Sequence, residues 1–164
     1  MSSGLILGLD LGTACGWALL RADGSRVASG VWDCHTRVLK RAGMAGGPVQ
    51  RLMLLRGHLD DIALWGDVVT VAYEEVRAHT GTQAAHVWGA LEGVVQLAAA
   101  RHGWRLLPVG VGTVKRRLTG SGASRKGSMV RAACARWGLG ECGEDEADAL
   151  AVALAALDVV ERAP

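Results

Sequence analysis

The sequence predicts an α/β fold: a five-stranded mixed sheet, three antiparallel strands and then parallel ones, flanked by helices. Three observations predict it. Residues 5–11 form an almost unbroken apolar run of strand length that ends at Asp10, Gly12 and Thr13. A second such run, residues 68–75, ends in Glu74 and Glu75. Runs of this kind read as strands buried on both faces. Around them, short turn-linked strands give way to segments with helical spacing, in the order β-β-β-α-β-α-β-α-α.

Taken in order, residues 4–11 form strand one and Gly12 to Gly16 a tight connection. Strand two begins at Trp17. Ala22-Asp23-Gly24-Ser25 is a hairpin turn, because Asp-Gly supplies positive φ angles. Strand three covers residues 26–32. Short turns between three strands imply an antiparallel meander. Residues 34–48, with glycines at 43, 46 and 47 and basic Arg37, Lys40 and Arg41, read as an irregular surface loop that meets the partner. Leu52, Leu55, Leu59 and Ile62 recur at helical spacing over residues 49–65. Strand four follows, and residues 80–102 form a long helix capped by Thr80 or Thr82. Strand five spans residues 104–109, stopped by Pro108 and Gly110. Residues 113–118 give one or two helical turns. Ser124 caps a helix that runs to Trp137. The last helix extends from near Glu144 to near Arg162. Strands one and four, the most buried, are expected to be parallel neighbours, with Asp10 and Glu74 at adjacent tips where open sheets place their sites. Asp145 and Asp148, three apart, share one helix face.

The whole chain bounds these expectations. Its 164 residues suit one domain, residues 1–164, with a full core. No stretch approaches the roughly 18 apolar residues of a membrane span. Met1-Ser2-Ser3-Gly4 lacks a basic region, so no signal peptide is expected. Cys15, Cys34, Cys134 and Cys142 are scattered, which suits free thiols in a reducing cytoplasm rather than a zinc site. Net charge is only +2, yet residues 93–140 hold nine Lys or Arg and no Asp or Glu. Such a stretch argues for a basic face and a polyanionic partner.

Three acidic groups from distant parts of the chain converge in this reading: Asp10, Glu74, and the cluster of Glu144, Asp145, Glu146 and Asp148. An unpaired carboxylate at a buried strand tip is costly and needs a cation or several donors. Carboxylates without His or Cys suit hard cations, Mg²⁺ or Mn²⁺. Two such ions stabilise the attacking and leaving oxygens of an in-line phosphoryl displacement. Each piece also has an ordinary structural use: Asp10 as a turn cap, the helix-start acids as partners of the helix dipole, and Lys115 and Lys126 as solvated side chains.

Leu9-Asp10-Leu11-Gly12-Thr13 with Gly16-Trp17-Ala18, then Tyr73-Glu74-Glu75-Val76, then Asp145-Glu146-Ala147-Asp148-Ala149-Leu150-Ala151 resembles the RuvC family of Holliday junction resolvases. Glu74 to Arg77 followed by Gly81 to His86 is similar to its phage and prophage branch. The resemblance implies an RNase H-like fold and a homodimer that nicks a four-way DNA junction symmetrically with two Mg²⁺ per active site. It implies Asp10, Glu74, Asp145 and Asp148 as catalytic metal ligands. Lys126, in the Gly120–Lys126 context, falls near the scissile phosphate, and Lys115 matches a second basic position. The backbone of branched DNA is then expected to meet Arg77, Lys115, Arg116, Arg117, Arg125, Lys126 and Arg131. The long helix is where the family dimerises. One departure is Arg77, which stands where cellular members carry an aromatic residue; a guanidinium also stacks on bases. The alternatives are a non-catalytic or RNA-directed RNase H-like module, and an ATP-binding domain of the sugar-kinase and actin type. The latter needs a second Asp-x-Gly-Thr loop that this chain lacks.

Overall fold

The computed structural model describes residues 4–76 and 81–161. Its elements are β1 (Leu5–Asp10), β2 (Ala14–Leu20), β3 (Arg26–Asp33), α1 (Thr36–Arg41), α2 (Pro48–Ala63), β4 (Val68–Glu75), α3 (Thr82–His102), β5 (Arg105–Gly110), α4 (Val111–Thr119), α5 (Lys126–Trp137) and α6 (Glu144–Glu161). The sheet order is β3-β2-β1-β4-β5. β1 and β2, and β2 and β3, pair antiparallel, while β4 pairs parallel with β1 and with β5. This is the expected mixed sheet, with β1 and β4 side by side at its centre.

The sheet is the middle of three layers. Strand side chains alternate between faces, and the two cores follow that alternation. Ile6, Ala18, Leu20 and Ala72 pack against α4, α5 and α6. Leu7, Leu9, Leu19, Val71 and Tyr73 pack against α2 and α3. α6 is buried almost throughout, from Ala147 to Leu157. Its alanines let its backbone come close to the strands. The β2–β3 turn closes as expected: Arg21 N–H donates to Ser25 O at 2.9 Å, and Gly24 adopts φ +79°.

Four local expectations are corrected. Residues 34–48 contain the one-and-a-half-turn helix α1, anchored by buried Leu39. Ser124 does not cap α5: Arg125 holds the N-cap position, and the Ser124 hydroxyl bonds Thr119 Oγ1 and donates to Ser121 O, closing the 119–124 loop. The N-cap of α3 is Gly81, with no side-chain capping bond, and Thr80 lies outside the described residues. Pro108 sits inside β5 rather than ending it. β5 is an edge strand, and only an edge leaves a side where a missing N–H costs no ladder bond. No described helix is long and apolar enough to cross a membrane.

Candidate active site

Period-two alternation decides where the first two carboxylates point. Ile6 and Gly8 face α6, so Asp10 does too; Thr70 and Ala72 face the same way, so Glu74 joins it. Leu9 pairs with Tyr73, which brings the two acidic tips level. α6 starts above them. It lies so close to the sheet that a Cβ on Gly16 would overlap the Asp145 carbonyl oxygen. A Cβ on Gly8 would lie 2.6 Å from the Ala153 nitrogen. That contact fixes the first turn of α6, with Asp145 and Asp148 partly buried on one face and Ala147 turned into the core.

The four carboxylates share one electrostatic field. Burial pushes the Asp10 carboxyl up to about 7, and the charges of Asp148, Asp145 and Glu74 push the same way. Glu74 is also raised, by burial first and then by Asp148. Asp148 is raised by burial, with Lys126 opposing and Asp145 adding to the rise. Lys126 lies within this field and donates from Nζ to Glu144 Oε2 at 2.9 Å. That partner and the nearby Asp148 and Asp145 raise its own pKa. Lys115 reaches the cluster from α4, where its charge lowers Glu74 and Asp148. Two neighbouring acids are occupied elsewhere. Glu144 holds Lys126, and Glu146 accepts from the Ser29 hydroxyl at 2.5 Å.

The donor set suits a hard divalent cation, being all carboxylate oxygen and strained by mutual repulsion that a cation relieves. Among the described residues no three acidic, His or Cys side chains already stand in a ready-made metal cage. Repulsion has a measurable sign. The folded pKa of Asp10 lies above its unfolded 3.8, so folding is unpenalised below about pH 4 and loses stability as pH rises towards 7. With allowance for solvent at a partly exposed carboxylate, the loss is on the order of 2 kcal/mol. Urea unfolding of EDTA-treated protein at pH 5 and pH 8 is expected to show it, and Asp10→Asn is expected to remove most of the difference.

Comparison with known proteins now decides the family. The family model for crossover junction endodeoxyribonuclease RuvC matches residues 6–156. The chain belongs to the RuvC family. Relatives named crossover junction endodeoxyribonuclease RuvC include that of Anaeromyxobacter sp. (strain K), 32% identical over 92% of this chain and 78% of its own length. The Moorella thermoacetica protein is 34% identical over 92% of this chain and 89% of its own. The fold matches T. thermophilus RuvC in complex with Holliday junction substrate, with a TM-score of 0.80, 21% identity, and 95% and 94% of the two chains covered. RuvC proteins are metal-dependent nucleases of RNase H-like fold, in agreement with the sheet order described above.

The basic residues singled out in the sequence divide by position. Arg116, Arg125 and Arg131 are exposed on α4 and α5. Arg117 donates from Nε to Asp158 Oδ2 at 2.7 Å. Asp158 is thirteen residues along α6 from Asp145, about 20 Å away, so this pair holds α4 to the far end of α6. Arg77 lies outside the described residues. Sequence reasoning missed a relay at the β1–β2 turn. Thr13 Oγ1 bonds His35 Nε2 at 3.1 Å, and His35 Nδ1 bonds Asp33 Oδ1 at 2.6 Å, tying the entry of α1 to the turn after Asp10. Thr13 and His35 are 22 residues apart, so no local spacing signals the contact.

Proposed function

We propose that this protein is a Mg²⁺-dependent, structure-selective DNA endonuclease that resolves four-way junctions by paired symmetric nicks, acting as a homodimer. The observation that carries the reading is the meeting of Asp10, Glu74, Asp145 and Asp148, from three separate segments, in a chain of the RuvC family. The naming of the relatives and the junction bound by the T. thermophilus protein support the choice of substrate. Two Mg²⁺ ions, with Mn²⁺ able to replace them, would when bound supply Lewis-acid stabilisation of phosphate charge and activation of water for in-line hydrolysis. The chain contributes the rest. Asp10, Glu74, Asp145 and Asp148 would hold the ions on a strand–helix frame. Lys126 and Lys115 lie beside them and take up phosphate charge. The Lys126–Glu144 pair is exposed, so exchanging Glu144 for a phosphate oxygen costs little. Arg77, Arg116, Arg125 and Arg131 extend the contact along the backbone, and binding weakens steeply with salt. Arg117 joins them only by leaving Asp158.

The test is nicking of labelled four-way junction, flap, fork and linear duplex DNA, with Mg²⁺ and with EDTA. Symmetric paired nicks in the junction, lost in EDTA, are expected. Binding of every substrate with no cutting overturns the reading in favour of a non-catalytic module. A second prediction concerns the free protein. Mg²⁺ or Mn²⁺ at about a hundredfold over its dissociation constant stabilises the fold by about 2.7 kcal/mol. Differential scanning fluorimetry is expected to show the melting temperature rising with either ion, and rising less in Glu74→Gln.

A further inference from the structure

A second cationic region lies at the same end of the sheet, on the face away from α6. Residues 35–59 hold five Lys or Arg and no Asp or Glu. They form α1 and most of α2. α2 ends at Ala63 just before β4 starts, so its beginning at Pro48 lies at the carboxylate end of the sheet. α3 begins soon after β4 ends, so Thr82 lies at that end too. Between α1, α2 and α3 is a cavity of about 370 Å³ lined by Thr36, Arg51, Gln83 and His86, among others.

Arg51 is the feature that needs a partner. Its Nε is buried and has no hydrogen-bond partner, the single such side-chain atom among the described residues. No described carboxylate forms an ion pair with Arg51 either. Its charge is felt by the buried Cys34 thiol, which is no counter-ion. A partly buried guanidinium without an anion is unfavourable. A planar fork of N–H donors fits a phosphate better than any other common anion besides carboxylate. His86 and Gln83 are exposed at the mouth, and Thr36 adds a hydroxyl. All can donate to phosphate oxygens, and none competes as an anion.

We propose that this cavity is a second phosphate site, with Arg51 as its anchor, and that it grips a DNA backbone phosphate on the opposite side of the sheet from Lys115 and Lys126. The assignment of DNA rests on the function proposed above. The substrate strand then crosses the carboxylate end between two basic zones, one on α1 and α2 and one on α4 and α5. Two anchored flanks fix where the backbone lies over the carboxylates between them.

The experiment measures binding of a four-way junction with 5′-hydroxyl ends to the full chain in EDTA, over a range of salt. Arg51→Gln removes one phosphate contact from each protomer of the dimer, and is expected to raise Kd about tenfold or more at fixed salt and to lower the salt slope by about two. Arg51→Lys is expected to recover the slope and part of the affinity. Gln83→Glu, an exposed change, places a like charge for phosphate at the mouth and is expected to weaken binding as well. Circular dichroism and melting temperature confirm that each variant is folded, and gel filtration that it keeps the wild-type oligomeric state, because Gln83 lies on α3, the helix where the family resemblance places dimerisation. Unchanged Kd and slope in both Arg51→Gln and Gln83→Glu overturn the proposal, while wild-type nicking still supports the nuclease. A wild-type chain that binds no junction overturns the DNA reading and the backbone source together. In that case a rise in melting temperature with inorganic phosphate, absent in Arg51→Gln, supports a free phosphate as the occupant; no rise overturns the site.

Discussion

Asp10→Asn is expected to lower the rate of junction nicking by about 10³-fold or more, while junction binding stays at the wild-type level or tightens. The two effects have one cause. Asp10 lies at the centre of the acidic field, where burial and three other carboxylates raise it to about 7. In the metal-ligand role proposed for it, Asp10 cannot be replaced by an amide, which is neutral and offers one acceptor oxygen. Removing one electrostatic group aimed at the reacting phosphate typically costs 10² to 10³ in rate, and loss of a metal ligand costs at least as much. For binding, the balance reverses: the DNA backbone is an anion, and the metal-free cluster repels it. Neutralising Asp10 removes part of that repulsion and leaves Lys115, Lys126 and the arginines in place. Gel-shift binding in EDTA and single-turnover nicking in Mg²⁺ separate the two. Equal loss of binding and nicking identifies Asp10 as structural. The same variant is expected to unfold at higher urea concentration than wild type at pH 8, because the neutral amide pays no desolvation penalty of a charge.

The sheet and its acidic end were legible because strands declare themselves by period two and by length. Once β1 and β4 are neighbours, Asp10 and Glu74 must share a face, and the alternation of Gly8 with Leu9 and of Ala72 with Tyr73 selects it. The Asp145–Asp148 spacing places both on one side of α6 for the same kind of reason. What was not legible depends on contacts between distant residues. α1 is six residues long and is held by one buried leucine, too short for periodicity to register. Ser124 has the right chemistry for a cap, but Thr119 Oγ1 and Ser121 O compete for its hydroxyl. Arg117 reads like its neighbours Arg116 and Lys115 until Asp158 is seen beside it. Arg51 sits among the helical run of Leu52, Leu55 and Leu59 with no spacing signal of its own. Only the packing of α1 and α3 around it buries its Nε.

The site also depends on atoms that the chain omits. Gly16→Ala is expected to destabilise the fold by about 3 kcal/mol, or roughly 10 °C in melting temperature for a domain of this size. Gly16 has no positive φ, so backbone freedom is not the reason for it. Space is the reason. A Cβ there falls on the Asp145 carbonyl, which belongs to the first turn of α6. Backbone cannot step aside as a flexible side chain can, so either β2 or the helix start must move. The helix start carries Asp145 and, one turn on, Asp148. A shift of about 1 Å at such a site costs on the order of 10² in rate, so nicking falls even at temperatures where the variant is fully folded. Gly57→Ala is the control. Gly57 is exposed within α2, and a Cβ there meets nothing within 4 Å. Replacing it is expected to stabilise the protein by about 0.5–1 kcal/mol and to leave nicking unchanged. Thermal melts and single-turnover rates of the two variants side by side test the argument. If Gly16→Ala melted like Gly57→Ala and cut at the wild-type rate, close contact between α6 and β2 would not be what holds Asp145 over Asp10. If it lost rate beyond what unfolding explains, the distance between a strand and a helix backbone would be part of the catalytic geometry, set by a residue with no side chain.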